Sequence, residues 1–181
     1  MDLLNALKGA AGSDELQQLG SQFGLDMSSL DKVMDNVVPA LGRGLQKNTQ
    51  APGGLESLLG ALQKGGHDRY LGNISAAASQ VGIADGNNIL GHVFGSKDVS
   101  RNVAANASQV SGVSSDVIKK MLPMIATMVM GTLSKQTGGG SAMPAQSGGG
   151  GGLGDMLSSM LDSDGDGSAV DDILDMAKKF F

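Results

Sequence analysis

A chain of 181 residues without a single cysteine has no disulfides, zinc knuckles, thiolate nucleophiles or cysteine-held iron–sulfur clusters, yet it is long enough to bury a core without such staples. Aromatic residues make up 3% of it and tryptophan is absent, so base-stacking platforms and aromatic anchors for partners are both poorly supplied. The formal charge of -5 sits in the tail: residues 1–154 carry 11 acids and 11 bases, while 155–181 carry 7 acids against Lys178 and Lys179. The neutral body offers no basic footprint, which disfavours nucleic acid as a partner.

Met1 to Gly12 has one lysine and no long apolar stretch, so it does not read as a secretory signal. A cytoplasmic location is the default expectation, with export by a route lacking an N-terminal signal as the alternative. Asp2 to Gly9 sets Leu3, Leu4 and Leu7 on one face of a short helix that Gly9 and Gly12 would end. Ser13, Asp14 and Glu15 are a good start for a second helix, which should run to Phe23 and stop at Gly24. A third begins at Asp26 or Ser28, with Ser28 and Asp31 as a capping-box-like pair. It places Leu30, Val33, Met34, Val37, Leu41 and Leu45 on one face and is expected to kink at Pro39.

After the Ala51-Pro-Gly-Gly breaker, Leu55, Leu58, Leu59 and Leu62 mark a short helix closed by Gly65-Gly66. His67 to Val81 reads as a helix of small residues, followed by a turn over Ala84-Asp-Gly-Asn-Asn88 and a short apolar element ending at Gly95. The longest apolar run is Val117 to Leu133. From Met121 it carries no charge and is apolar on every side, so other helices or a partner must wrap it. It falls short of the roughly 20 residues that span a bilayer. A core position is expected, kinked near Pro123 and packed against the helix that holds Pro39.

Two stretches repeat. Asp2 to Gly9 matches Asn88 to Gly95 in apolar character, Gly24-Leu25 matches Gly112-Val113, and Leu30 to Leu45 matches Ile118 to Leu133. Leu153 to Met160 resembles Leu55 to Leu62 and carries the pattern past the second copy. Duplication lets two units cover each other's apolar faces. Residues 138–152 are nearly all Gly, Ser, Ala, Pro and Gln, the composition of a flexible linker.

One constellation carries chemistry. Asp162, Asp164 and Asp166 occupy alternate positions, Gly167 supplies the sharp turn, and Ser168 offers a carbonyl. Calcium takes six to eight oxygens, and this alternation aims three carboxylates at one centre. Amphipathic segments flank the loop, as in an EF-hand. Position 12, where that motif has a bidentate Glu, is Ile173, so Asp171 and Asp172 are the replacements. The competing account is a capped acidic turn, with Ser168 as N-cap and Asp171 as its capping-box partner. Three close acids repel unless a cation compensates, which favours calcium. His67 and His92 have no carboxylate cluster at ligand spacing and read as packing or surface residues. No serine has a credible His/Asp set, so an enzyme is not expected. Lys119-Lys120 reads as a solvated face rather than a lipid contact.

The stretches DGNNILGHVFG (Asp85 to Gly95), SGVSSDVIKKMLPMIATMVMGTLSKQT (Ser111 to Thr137) and DSDGDGSAVDDIL (Asp162 to Leu174) resemble the bacterial domain-of-unknown-function family to which YidB-type proteins are related. That resemblance covers nearly all of 1–137 and implies an all-helical protein with no assigned activity. Through a homeodomain-like arrangement associated with YidB-type relatives, it also implies DNA binding as an alternative. The expected architecture is all-α, with two pseudo-repeated units in one bundle-like domain (1–137), a Gly-rich linker (138–152) and an acidic helix-loop-helix (153–181). The expected function is a non-enzymatic interaction or scaffold protein with a protein partner or self-association. Its calcium site would be Asp162, Asp164, Asp166, Ser168, Asp171 and Asp172, and lipid association through the Met-rich helix is a further alternative.

Overall fold

In the computed structural model, which describes residues 3–136, all regular structure is helical, and no strand occurs among the described residues. The order is α1 (Leu3–Gln22), α2 (Met27–Gln50), α3 (Gly54–Gly65), a 3-10 turn (His67–Tyr70), α4 (Ile74–Ala78), α5 (Gln80–Phe94), α6 (Lys97–Ser111) and α7 (Ser115–Gln136). The expectations for 138–152 and 153–181 lie outside the described residues.

The two N-terminal helices expected from the sequence are both present within α1: the first runs past Gly9 to a break at Gly12, whose φ of 73° and ψ of 161° are not helical, and the second follows it. Leu3, Leu7 and Ala11 are buried before the bend, and Leu16, Leu19 and Gly20 after it. The exit of α1 satisfies its last carbonyls in a Schellman arrangement. Gly24 N–H donates to Ser21 O and Leu25 N–H to Gly20 O (3.1 and 2.8 Å), with Gly24 at φ 67°. The next helix starts at Asp26, whose side chain accepts from Ser29 N–H at 3.4 Å. With Asp26 as the N-cap, Ser28 lies inside the helix, and Asp31, expected to pair with it, meets Lys8 instead, 3.2 Å away.

The helix α2 continues through Pro39, and its buried residues are the expected face widened by Val38 and Gly42. Between α3 and α5 the structure departs from the single helix expected over His67 to Val81. Gly72 at φ 81° turns the chain after the 3-10 segment, and Asn73 then caps α4, accepting from Ala76 N–H at 2.9 Å. Ser79 caps α5, accepting from Gly82 N–H at 3.1 Å. Two capping side chains six residues apart thus restart the helix twice.

The segment Ala84-Asp-Gly-Asn-Asn88 is not a turn but the middle of α5. Local propensity argues against helix here, and a tertiary contact overrides it: α5 lies so close to α7 that a Cβ on Gly86 would collide with the Pro123 carbonyl and Cα. A residue without a side chain is what this crossing admits.

The helix α7 is the centre of the body. Ile118 and every residue from Met121 to Ser134 are buried. It packs most extensively on α5, the 3-10 turn and α6, whereas α2, the neighbour expected from the sequence, is a lesser one. Its buried hydroxyls are satisfied within the helix: Thr127 donates to Met124 O and Thr132 to Met128 O (2.8 and 2.9 Å). At 22 residues it is longer than the apolar run alone and, by length and composition, could cross a membrane. In this fold 83% of that apolar window is buried inside the body. The 3-10 turn approaches so closely that a Cβ on Gly131 would meet His67 O at 2.7 Å.

The glycine pair on α5 tests this packing. Gly86→Ala should lower stability by about 1–3 kcal/mol through overpacking against Pro123. Gly91→Ala, in the same helix with nothing within 4 Å of the added Cβ, should raise it by about 0.5–1 kcal/mol. Denaturant unfolding of the two variants reads both signs, and equal effects would contradict the close α5–α7 crossing.

Candidate functional site

The residues expected to hold calcium, Asp162, Asp164, Asp166, Ser168, Asp171 and Asp172, lie outside the described residues. Among the described residues there is no group of three or more His, Asp or Glu placed to hold a metal. Within the body, a polar cluster and an apolar cleft stand out.

The first is built around the chain's one tyrosine. The 3-10 turn carries Arg69 and Tyr70 to the flank of α5, where Tyr70 OH donates to Asp85 Oδ2 at 2.5 Å. Arg69 Nη2 donates to the same carboxylate oxygen at 3.2 Å and to Tyr70 OH at 2.8 Å. The Arg69 guanidinium also lies over the Tyr70 ring, 4.8 Å from its centroid, and the His67 ring stands 6.2 Å away at a tilt of 31°. Tyr70 is 2% exposed, so its hydroxyl would be costly to leave without a partner. Burial, together with the hydrogen bond to Asp85, raises the Tyr70 pKa above 10.0 even though Arg69 pulls the other way. The trio can orient and fasten. It ties the 3-10 turn to α5 and so closes the far wall around α7.

Sequence reading missed this cluster because Asp85 looked like a turn residue. The available signal was a lone tyrosine beside an arginine in an aromatic-poor chain. His67 is 7% exposed and packs beneath Tyr70, and His92 is exposed, which agrees with packing and surface roles for the two histidines.

The second place is a cleft of about 200 Å³ between α2, α3, α5 and α7. Leu45, Leu58, Ile89, Val93 and Met130 wall it, and the half-buried Asn48 with the exposed Ser57 and His92 supply its polar groups. Asn48 Nδ2 donates to the His92 carbonyl at 2.6 Å, which pins the end of α2 to α5 along one edge. These residues come from four distant stretches, so no local pattern announces them.

Elsewhere some of the surface charges form pairs. Lys8 bridges Asp31 and Asp35 (3.2 and 3.6 Å). Partial burial opposes its charge, but the hydrogen bonds and attraction of the two carboxylates outweigh this and hold its pKa above 10.5. Lys119 pairs with Asp116 at 3.2 Å and Arg101 with Asp98 at 2.9 Å, each worth little in water.

Comparison with known families matches residues 5–136 to the model described as bacterial protein of unknown function (DUF937). No curated protein and no solved structure matches the chain.

The tyrosine cluster makes a prediction with a sign. A phenol whose pKa is raised by folding contributes stability that is complete below its unfolded value near 10 and is lost as pH rises through the folded value. Tyr70→Phe should cost about 1–2 kcal/mol near neutral pH and should flatten the loss of stability above pH 10. Unfolding midpoints measured from pH 7 to 11 check both effects.

Proposed function

Because the chain belongs to the DUF937 family, bacterial proteins of unknown function that supply no reaction to inherit, we propose that it is a non-enzymatic helical interaction or scaffold protein. On this reading its C-terminal segment presents a calcium loop. The observation that carries the proposal is the seating of α7. Its unbroken burial from Met121 to Ser134 anchors the helix that leads directly into the Gly-rich stretch, so whatever follows is displayed from a fixed base.

The body itself is proposed to be a duplication. Helix, glycine at positive φ, helix, glycine at positive φ and a long helix follow one another twice, through Gly12 and Gly24 in the first unit and Gly95 and Gly112 in the second. Both long helices carry an internal proline, Pro39 and Pro123. On this reading α7 of the second unit is wrapped by elements of both.

In the loop, Asp162, Asp164 and Asp166 would supply carboxylate oxygens and Ser168 a carbonyl, with Asp171 and Asp172 standing in for the missing position-12 ligand. Losing the bidentate Glu removes two oxygens, so the affinity falls in the weak range, about 10⁻⁴–10⁻³ M, that suits extracellular calcium. An extracytoplasmic site of action is the setting in which such a loop would be loaded. Calorimetric titration of the full chain with calcium should give saturable heat that Asp164→Ala with Asp166→Ala abolishes. Absence of heat in the unaltered chain would remove the calcium half of the proposal.

A second reading is lipid association through α7, favoured by the helix's length and composition and opposed by its burial in the body. Flotation with liposomes separates the two: a body that keeps α7 inside stays at the bottom of the gradient.

A further inference from the structure

The cleft between α2, α3, α5 and α7 is an apolar recess that the body's own helices leave open. One wall is α3, which buries Leu58 and Leu62 and turns Leu58, with the exposed Ser57 and Ala61, toward the cleft. The spacing that lets α3 seal against this surface occurs once more in the chain. Leu153, Met156, Leu157 and Met160 stand in the register of Leu55, Leu58, Leu59 and Leu62, with methionine at the two positions that α3 buries.

We propose that the cleft is the seat of the chain's own segment 153–161, which places Met156 and Met160 against Leu45, Ile89 and Met130. Three observations carry the assignment. The unbranched thioether side chains of methionine adapt to an irregular apolar recess. The reach is sufficient: Met130 lines the cleft, α7 ends six residues later at Gln136, roughly 9 Å on, and the 16 residues 137–152 span about 20 Å root-mean-square. The tether also makes the encounter intramolecular, at an effective concentration on the order of millimolar, which no free partner matches without a stronger interface. Asp162 follows the seated segment directly, so the acidic loop would be held at the mouth of the cleft beside α3. The seat does not depend on calcium, and the experiment keeps the two readings apart.

The absence of cysteine makes the test clean. Ala61→Cys on the cleft side of α3 is combined with Ser158→Cys in the full chain, and intramolecular disulfide formation is timed against a control pairing Arg101→Cys, on exposed α6, with Ser158→Cys. The expected result is a rate about tenfold above the control that falls to the control level when Met156→Asp and Met160→Asp are added. Equal rates in the two pairs, a rate indifferent to the aspartates, or disulfides only between chains would overturn the proposal, the last by making a second copy the occupant. Running both arms in calcium and in chelator separates the readings. Selective closure in chelator upholds the seat even where the calorimetric titration shows no calcium binding.

Discussion

The constraint on which the rest of this structure depends is the absence of a polar face on α7. A helix with one apolar stripe needs a single neighbour, but Met121 to Ser134 are buried on all sides, so neighbours must be supplied around the full circumference. That demand accounts for the crowding of α5, α6, α1 and the 3-10 turn about one axis. It also accounts for where the chain dispenses with side chains. Gly86 and Gly131 sit where flanking backbone presses against α7, and each added methyl would push a wall of the enclosure outward. The methionines of α7 suit the same role, since flexible thioethers fill irregular gaps between unlike walls.

The wrapping is held at its edges by a few polar fastenings rather than by ion pairs in the core. Tyr70, Arg69 and Asp85 tie the 3-10 turn to α5, and Asn48 ties the end of α2 to the His92 carbonyl. Each joins separate segments of the chain, and the buried Tyr70 hydroxyl is the group that would be costly to leave without a partner. The exposed pairs, Lys8 with its two aspartates among them, tune the surface and add little to the enclosure.

A body organised this way is occupied by its own packing. Its polar clusters fasten elements, and an apolar cleft stays open beside α3. The chemistry that the chain does carry, a run of alternating carboxylates, lies beyond a Gly-rich stretch that starts where α7 ends.

The sequence by itself determined the helical class, the apolar faces of α2 and α7, and the stops at Gly12, Gly24 and Gly95. Each of these is a local matter of periodicity or of a φ that glycine adopts freely. The alternation of Asp162, Asp164 and Asp166 is likewise a property of neighbouring residues, but it lies outside the described residues. Tertiary structure decided what local chemistry contradicts or does not encode. Asp85-Gly-Asn-Asn88 has the composition of a turn and is helical, because the crossing with Pro123 needs the glycine and the tie to Tyr70 needs the aspartate on that face of α5. His67 to Val81 has the composition of a helix and is broken, because Gly72, Asn73 and Ser79 redirect the chain around α7. The cleft required the fold outright, since Leu45, Leu58, Ile89 and Met130 meet only after four separate helices have closed on one another.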